Sequence, residues 1–176
     1  MQRALVVAAV TAATVFVISL ALFSRSHQSD LKSPPASAFK PIPAPRFAAV
    51  TLGGRKVSLA AYHGEPLVIN FFASWCAPCK QEATAFTRTE RRFAGRVQFL
   101  SIGRASPISG VHGYVSRYAI TWPVVYDHGD RLTDQFRLYG QPTTFVINRR
   151  GVVVDRINGK TSEQTLAHEL TSLVQS

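Results

Sequence analysis

Residues Phe71–Glu82 read FFASWCAPCKQE, and their order decides how the chain folds around them. The apolar run Leu67–Phe72, LVINFF, is broken only by Asn70, as expected of a central strand covered on both faces. It ends in Ala73-Ser74-Trp75, and a helix begins at or just after Cys76. A helix amino terminus offers unpaired amide donors and a positive field, and both stabilise a thiolate. The pKa of Cys76 is therefore expected to be depressed. Ala77-Pro78 places Cys79 nearly one turn later, on the same face. Pro78 sits in the first turn, where a missing amide hydrogen costs little.

Outward from this stretch, the helix is expected over Ala77–Phe93, with Ala83, Phe86 and Phe93 near one face and Gly95 closing it. A strand over Val97–Ile102, a helix over Val111–Tyr118 and a short strand over Val124–Tyr126 follow. Leu132–Phe136 reads as a helical turn or two. Thr143–Ile147 and Val152–Ile157 flank Asn148-Arg149-Arg150-Gly151, a hairpin signal with glycine closing the turn. Ser162–Val174 completes the domain as a helix with the stripe Leu166, Leu170, Leu173, Val174. On the other side, Phe47–Thr51, Gly53-Gly54 and Val57–Leu59 read as a short amino-terminal strand and turn. The order implies an α/β fold, a mixed central sheet with helices on both faces.

The start of the chain has a different character. Ala4–Phe23 holds no charged residue for 20 positions, enough to cross a bilayer as a helix. Arg3 and the α-amino group favour a cytoplasmic amino terminus. A cleaved signal peptide, with Ser19 and Ala21 as its small residues, is the competing reading. The uncleaved single-pass anchor is preferred because Leu22 and Phe23 continue the apolar run. Either way, residues 46–176 form one domain on the extracytoplasmic side. Residues 24–45 carry Pro34, Pro35, Pro41, Pro43 and Pro45 and read as a stiff, extended spacer.

The chain carries 20 basic and 10 acidic side chains, a net charge of +10. The densest basic run is Arg88, Arg91, Arg92 and Arg96, which reads as a solvated helix face. No zinc-finger spacing or RNA-binding aromatic motif accompanies it, so no nucleic-acid partner is expected. Two cysteines are too few, and too close together, for a framework of structural staples.

Cys76 and Cys79 admit other chemistry. A four-ligand zinc site needs two more partners, and sequence does not place His112 or His128 near the pair. A copper site would use the two thiols and one distant histidine. Haem attachment needs a histidine at 80, where Lys80 stands. An inert structural disulfide is a further alternative. The strand-to-helix setting favours redox exchange, with no metal and no cofactor: Cys76 attacks a client disulfide, and the more buried Cys79 resolves the mixed disulfide.

Tyr139–Ile147 reads YGQPTTFVI. Proline is poorly tolerated within a strand, so Pro142, just ahead of one, implies a sharp turn with a cis peptide bond or an ordinary trans turn.

With these motifs together, the chain resembles the membrane-anchored extracytoplasmic thioredoxin-like proteins, the group that includes TlpA, ResA and the cytochrome c biogenesis thioredoxins. WCAPC resembles the family's W-C-x-P-C, and QPTTFVI its T-P-T-T-F-x-I. The resemblance runs from about Pro45 to the end, with anchor and spacer before it. It implies a thioredoxin fold with a short amino-terminal strand extension. It implies that Pro142 is a cis-proline beside the disulfide and that the Gln141 backbone pairs with a client strand. Asn70 stands where cytoplasmic thioredoxins usually carry a buried aspartate. Glu82 matches a family glutamate that tunes the pair's acidity and passes protons. The alternative for Glu82 is a surface residue compensating Lys80. Trp75 shields the disulfide and contacts clients, or simply packs at the domain edge.

The sequence departs from the family at Ala83-Thr84-Ala85, where a proline is common, and at Gln141, where threonine or valine is common. Arg104–Gly113 also lacks the usual acidic or charged stretch. The resemblance implies a monomeric domain that reduces client disulfides, such as those of apocytochrome c or copper-assembly proteins, and exchanges electrons with a membrane thiol partner. A thiol oxidase acting on exported proteins is the alternative. A peroxidase would need a peroxidatic cysteine in another context, and a binding module would leave the disulfide merely structural.

Overall fold

The computed structural model describes residues 39–175. Ala4–Phe23 and the first part of the spacer lie outside them. Among the described residues no helix is long and apolar enough to cross a membrane.

A six-stranded mixed sheet forms the centre. Its strands are β1 (Ile42–Pro43), β4 (Leu67–Phe72), β5 (Gln98–Gly103), β6 (Val124–Tyr126), β7 (Thr143–Ile147) and β8 (Val152–Asn158), in the order β1-β8-β7-β4-β5-β6. β4, β5 and β6 run parallel, whereas β7 is antiparallel to β4 and β8 to β7. A separate ribbon pairs β2 (Ala48–Val50) with β3 (Lys56–Ser58), and a single bridge between Thr51 and Val125 links it to β6. The helices are α1 (Ala77–Phe93), α2 (Ile108–Arg117), α3 (Arg131–Gln135) and α4 (Glu163–Gln175). This is the thioredoxin fold in its mixed α/β form.

β4 is buried at every position, as its unbroken apolar run requires. Its alternating side chains feed two cores. Leu67, Ile69 and Phe71 join Leu132 and Phe136 of the α3 region and Phe47 and Val57 of the ribbon. Val68 points the other way, among Phe86 and Phe93 of α1 and Leu166 and Leu170 of α4. Phe72, at the strand's end, packs with Val111 and Tyr114 of α2 and with both cysteines.

The β7–β8 turn shows why its sequence is legible. Asn148 Oδ1 accepts from the backbone N–H groups of Arg150 and Val152, at 3.0 and 3.1 Å. Gly151 takes φ of 74°, a left-handed conformation open to glycine at little cost.

One boundary moves. The spacer expected through Pro45 ends sooner, because Ile42 and Pro43 pair with Val153 and Val152 as the edge strand β1. The Ala44 N–H donates to Gly151 O at 2.9 Å, and Ala44 is buried. Prolines are tolerated there because an edge strand leaves one row of backbone groups unpaired. Helix α2 also begins earlier than expected, directly after Pro107.

Candidate active site

The site lies at the carboxyl end of β4. The chain leaves the strand through Ala73, whose carbonyl accepts from Cys76 N–H at 3.1 Å. Cys76 caps α1 with extended backbone angles, and its Sγ accepts from Cys79 N–H at 3.2 Å. This is the sulfur-to-amide contact that a helix amino terminus provides. Pro78 occupies the first turn. Cys76 and Cys79 form a disulfide with Cα atoms 5.3 Å apart. Cys76 retains 4% exposure and Cys79 none. The difference has the direction expected of an attacking and a resolving sulfur, though both are largely covered. Trp75 beside them is 60% exposed, and its indole N–H donates to Ala105 O at 2.6 Å.

Beneath the pair is a buried polar cluster. Glu82, 1% exposed, stands one turn beyond Cys79 on the same helix face. Its Oε1 accepts from Asn70 Nδ2 at 3.0 Å, and its Oε2 accepts from Thr161 N–H at 2.9 Å. Asn70 Nδ2 also donates to Thr144 Oγ1 at 3.3 Å. Glu82 is therefore a core residue rather than a surface partner of Lys80. Burial raises its pKa to about 7, against the lowering effects of the Thr161 and Asn70 hydrogen bonds and the Lys160 charge. The Tyr114 hydroxyl donates to Cys79 O at 2.7 Å, and burial, with Glu82 and Tyr118 nearby, pushes its pKa upward.

Facing the disulfide is the turn before β7. The Gln141–Pro142 peptide is cis. Gln141 O lies 3.9 Å from Cys76 Sγ, and Pro142 O accepts from Gly159 N–H at 2.8 Å. All eight residues singled out in the sequence therefore gather at one end of the sheet. Sequence reasoning passed over Tyr114, Thr161 and Arg104. Arg104 follows the last residue of β5, at the same edge as the cysteines, and its guanidinium donates to Gln141 Oε1 at 2.7 Å. Its position at the carboxyl end of a strand neighbouring β4 was the available signal. Among the described residues, no three His, Cys, Asp or Glu side chains stand together as a metal-binding group.

The AhpC/TSA family model matches residues 42–156, from the edge strand through most of β8. The chain belongs to the AhpC/TSA family. The thiol-disulfide oxidoreductase ResA of Bacillus subtilis (strain 168) is 28% identical over 133 residues, 75% of this chain and 74% of that protein. A thiol:disulfide interchange protein of Chlorobium tepidum TLS superposes with a TM-score of 0.70 at 28% identity, covering 77% of this chain and 98% of that one. The structure of MTB dsbF, described in mixed oxidised and reduced forms, shares the fold with a TM-score of 0.69 at 24% identity, covering 73% and 96%.

This AhpC/TSA chain is a thiol–disulfide oxidoreductase: a cysteine pair at a helix amino terminus, on a thioredoxin fold, beside a cis-proline turn. The chemistry open to that arrangement is exchange. A thiolate on Cys76 has a helix amide to stabilise it, Cys79 can close the ring, and Glu82 can hold or release a proton near neutral pH.

Proposed function

We propose that the chain is a membrane-tethered, extracytoplasmic reductase of protein disulfides. The reading rests chiefly on the buried Glu82 carboxyl, whose pKa lies near 7, one helical turn beyond Cys79. An ionised carboxylate close to the pair disfavours thiolate and so favours the disulfide form. A pair that prefers to be oxidised is one that gives up its electrons readily.

In the reaction, the Cys76 thiolate attacks one sulfur of a client disulfide. A Cys76–client mixed disulfide forms, and the other client sulfur leaves as a thiolate that takes up a proton. Cys79 gives its proton to Glu82 and attacks Cys76 Sγ. The Cys76–Cys79 disulfide closes, and the second client sulfur leaves and is protonated. Two electrons pass to the client, with one proton that leaves Cys79 through Glu82 and one from water. The Gln141 backbone pairs with the client strand, Pro142 shapes that turn, Trp75 covers the exposed flank, and Asn70 holds Glu82. Clients of the kind implied by the resemblance are apocytochrome c haem-binding cysteines and copper-assembly proteins. A membrane thiol partner returns the electrons. Ala4–Phe23 supplies the anchor in this reading.

The Cys79 N–H to Cys76 Sγ contact favours the second reading, a thiol oxidase, because it stabilises the reduced thiolate. One measurement separates the two. Equilibrated with dithiothreitol buffers, a reductase pair sits well below about −200 mV, whereas an oxidant sits nearer about −120 mV. A potential near the latter value would overturn the reducing role.

A further inference from the structure

Arg104 is a strongly connected side chain at this end of the sheet to which the exchange reaction gives no task. Its backbone N–H donates to Phe72 O at 2.9 Å, fixing it beside the end of β4. Its guanidinium then spreads over three partners. Nε donates to Thr133 Oγ1 at 2.9 Å, one terminal nitrogen donates to Gln141 Oε1 at 2.7 Å, and the other pairs with Asp130 Oδ1 at 3.2 Å. The side chain is only 17% exposed.

The partners are themselves held. Thr133 Oγ1 accepts from Arg104 and donates to Asp127 Oδ2 at 2.8 Å. The two Asp127 carboxylate oxygens accept from the backbone N–H groups of Leu132 and Thr133, at 3.0 and 2.9 Å. Asp127 thus anchors the start of α3, and α3 anchors Arg104. The chain of contacts ends at Gln141, whose carbonyl oxygen is 3.9 Å from Cys76 Sγ. A planar, five-donor fork suits this geometry, because two directed hydrogen bonds and an ion pair leave from one rigid plane. Lysine, a point charge on a flexible stem, does not reproduce it.

We propose that Arg104 is a positioning residue for client binding: it holds Gln141 so that the edge before Pro142 is presented to a client strand in register with Cys76. The inference rests on the reading that clients pair with the Gln141 backbone. Arg104 touches no reacting sulfur. Its effect is on where the client lies, not on the intrinsic reactivity of the pair. Small thiols, which need no docked strand, are indifferent to it.

The test uses the full chain with two substrates. One is a peptide disulfide long enough to lie along the turn, and the other is dithiothreitol, which reduces the Cys76–Cys79 disulfide directly. Arg104→Met lowers kcat/KM for the peptide about tenfold, chiefly through KM, the scale expected for losing a charge-assisted hydrogen bond. Reduction by dithiothreitol stays within about twofold of the parent, and the midpoint potential is unchanged. Arg104→Lys recovers little. In a Gln141→Ala background, Arg104→Met has no further effect on the peptide, because the two act as one unit. Parallel losses with peptide and dithiothreitol would show a merely structural role and overturn the inference, as would independent, multiplying effects of the two substitutions. A parent chain that turns over dithiothreitol but no peptide disulfide would overturn the client reading itself, and the inference with it.

Discussion

Asn70 Nδ2 donates to Glu82 Oε1 at 3.0 Å, joining the central strand to the helix that carries both cysteines. Together with the Thr161 N–H on the other oxygen, this bond gives a buried carboxyl two donors, to which the Lys160 charge adds a smaller lowering effect. Burial outweighs both donors, which is why the pKa rises rather than falls.

That balance predicts how stability varies with pH. The folded-state pKa of Glu82 is raised, from 4.5 to about 7. The unfolded chain therefore releases this proton first as pH rises. The contribution is fully present below about pH 4.5 and is lost as pH approaches and passes 7. At full extent it amounts to about 3 kcal/mol. Glu82→Gln removes this slope. The variant is less stable at pH 4, because one of the two donors then faces an amide N–H2, but its stability varies less between pH 4 and 7. Urea unfolding of reduced and oxidised protein across that range is the measurement. An unchanged slope in the variant would place the titration elsewhere.

Removing the other partner has the opposite sign. Asn70→Ala deletes a hydrogen bond that lowers the Glu82 pKa, so the carboxyl should titrate higher still than about 7. Carbon NMR of the Glu82 carboxyl reads this directly. In the exchange reaction, the pH midpoint for resolution by Cys79 should move upward with it. A midpoint that moved down, or did not move, would mean that water replaces Asn70 as the donor.

Much of this site was visible in the sequence because it is local. Phe71–Glu82 carries its strand, bend, cap and helix in consecutive residues, and helix α1 begins and ends where its pattern places it. Pro142 was legible because proline just ahead of a strand needs a special turn. The rest depends on contacts between distant segments. Thr161 reaches Glu82 across 79 positions, Tyr114 reaches Cys79 across 35, and Arg104 reaches Gln141 across 37. Neither periodicity nor spacing encodes such a pair. The burial of Glu82 likewise depends on α4 and the Thr161 segment before it packing against α1, so its sequence neighbours Lys80 and Gln81 made a surface role readable as well.

Gly103, the last residue of β5, has a packing reason for its lack of a side chain. A Cβ there would lie 2.8 Å from Val111 Cγ1 and 3.2 Å from Phe72 Cζ. Both neighbours are fully buried beside the cysteines. Gly103→Ala should cost about 1–3 kcal/mol by overpacking. Adding Val111→Ala should recover part of that loss relative to Val111→Ala alone, since the contact it relieves is the closest. Thermal unfolding of the three variants tests the coupling, and strictly additive losses would show that the backbone, not Val111, absorbs the added methyl.

The edge strand makes a prediction about where the fold begins. Residues Ile42 and Pro43 pair with β8, Ala44 is buried against the first core, and Phe39 packs on that core as well. A chain starting at Phe39 keeps all of these contacts and is the reference. A chain starting at Arg46, where the proline-rich stretch ends, loses the Phe39 and Ala44 contacts and the Ala44 N–H to Gly151 O bond. The cost should be about 2–4 kcal/mol, from apolar area returned to water and one lost hydrogen bond. It should also leave the outer backbone groups of β8 unpaired, so hydrogen exchange should quicken at Val153 in particular, whereas the Val152 N–H stays bonded to Asn148 Oδ1. Equal urea midpoints for the two truncated chains would mean that β1 decorates the sheet without supporting it. A lower midpoint for the Arg46 chain, with exchange quickened along β8, would place the start of the folded unit within the proline-rich stretch, since an edge strand can use prolines that a central strand would exclude.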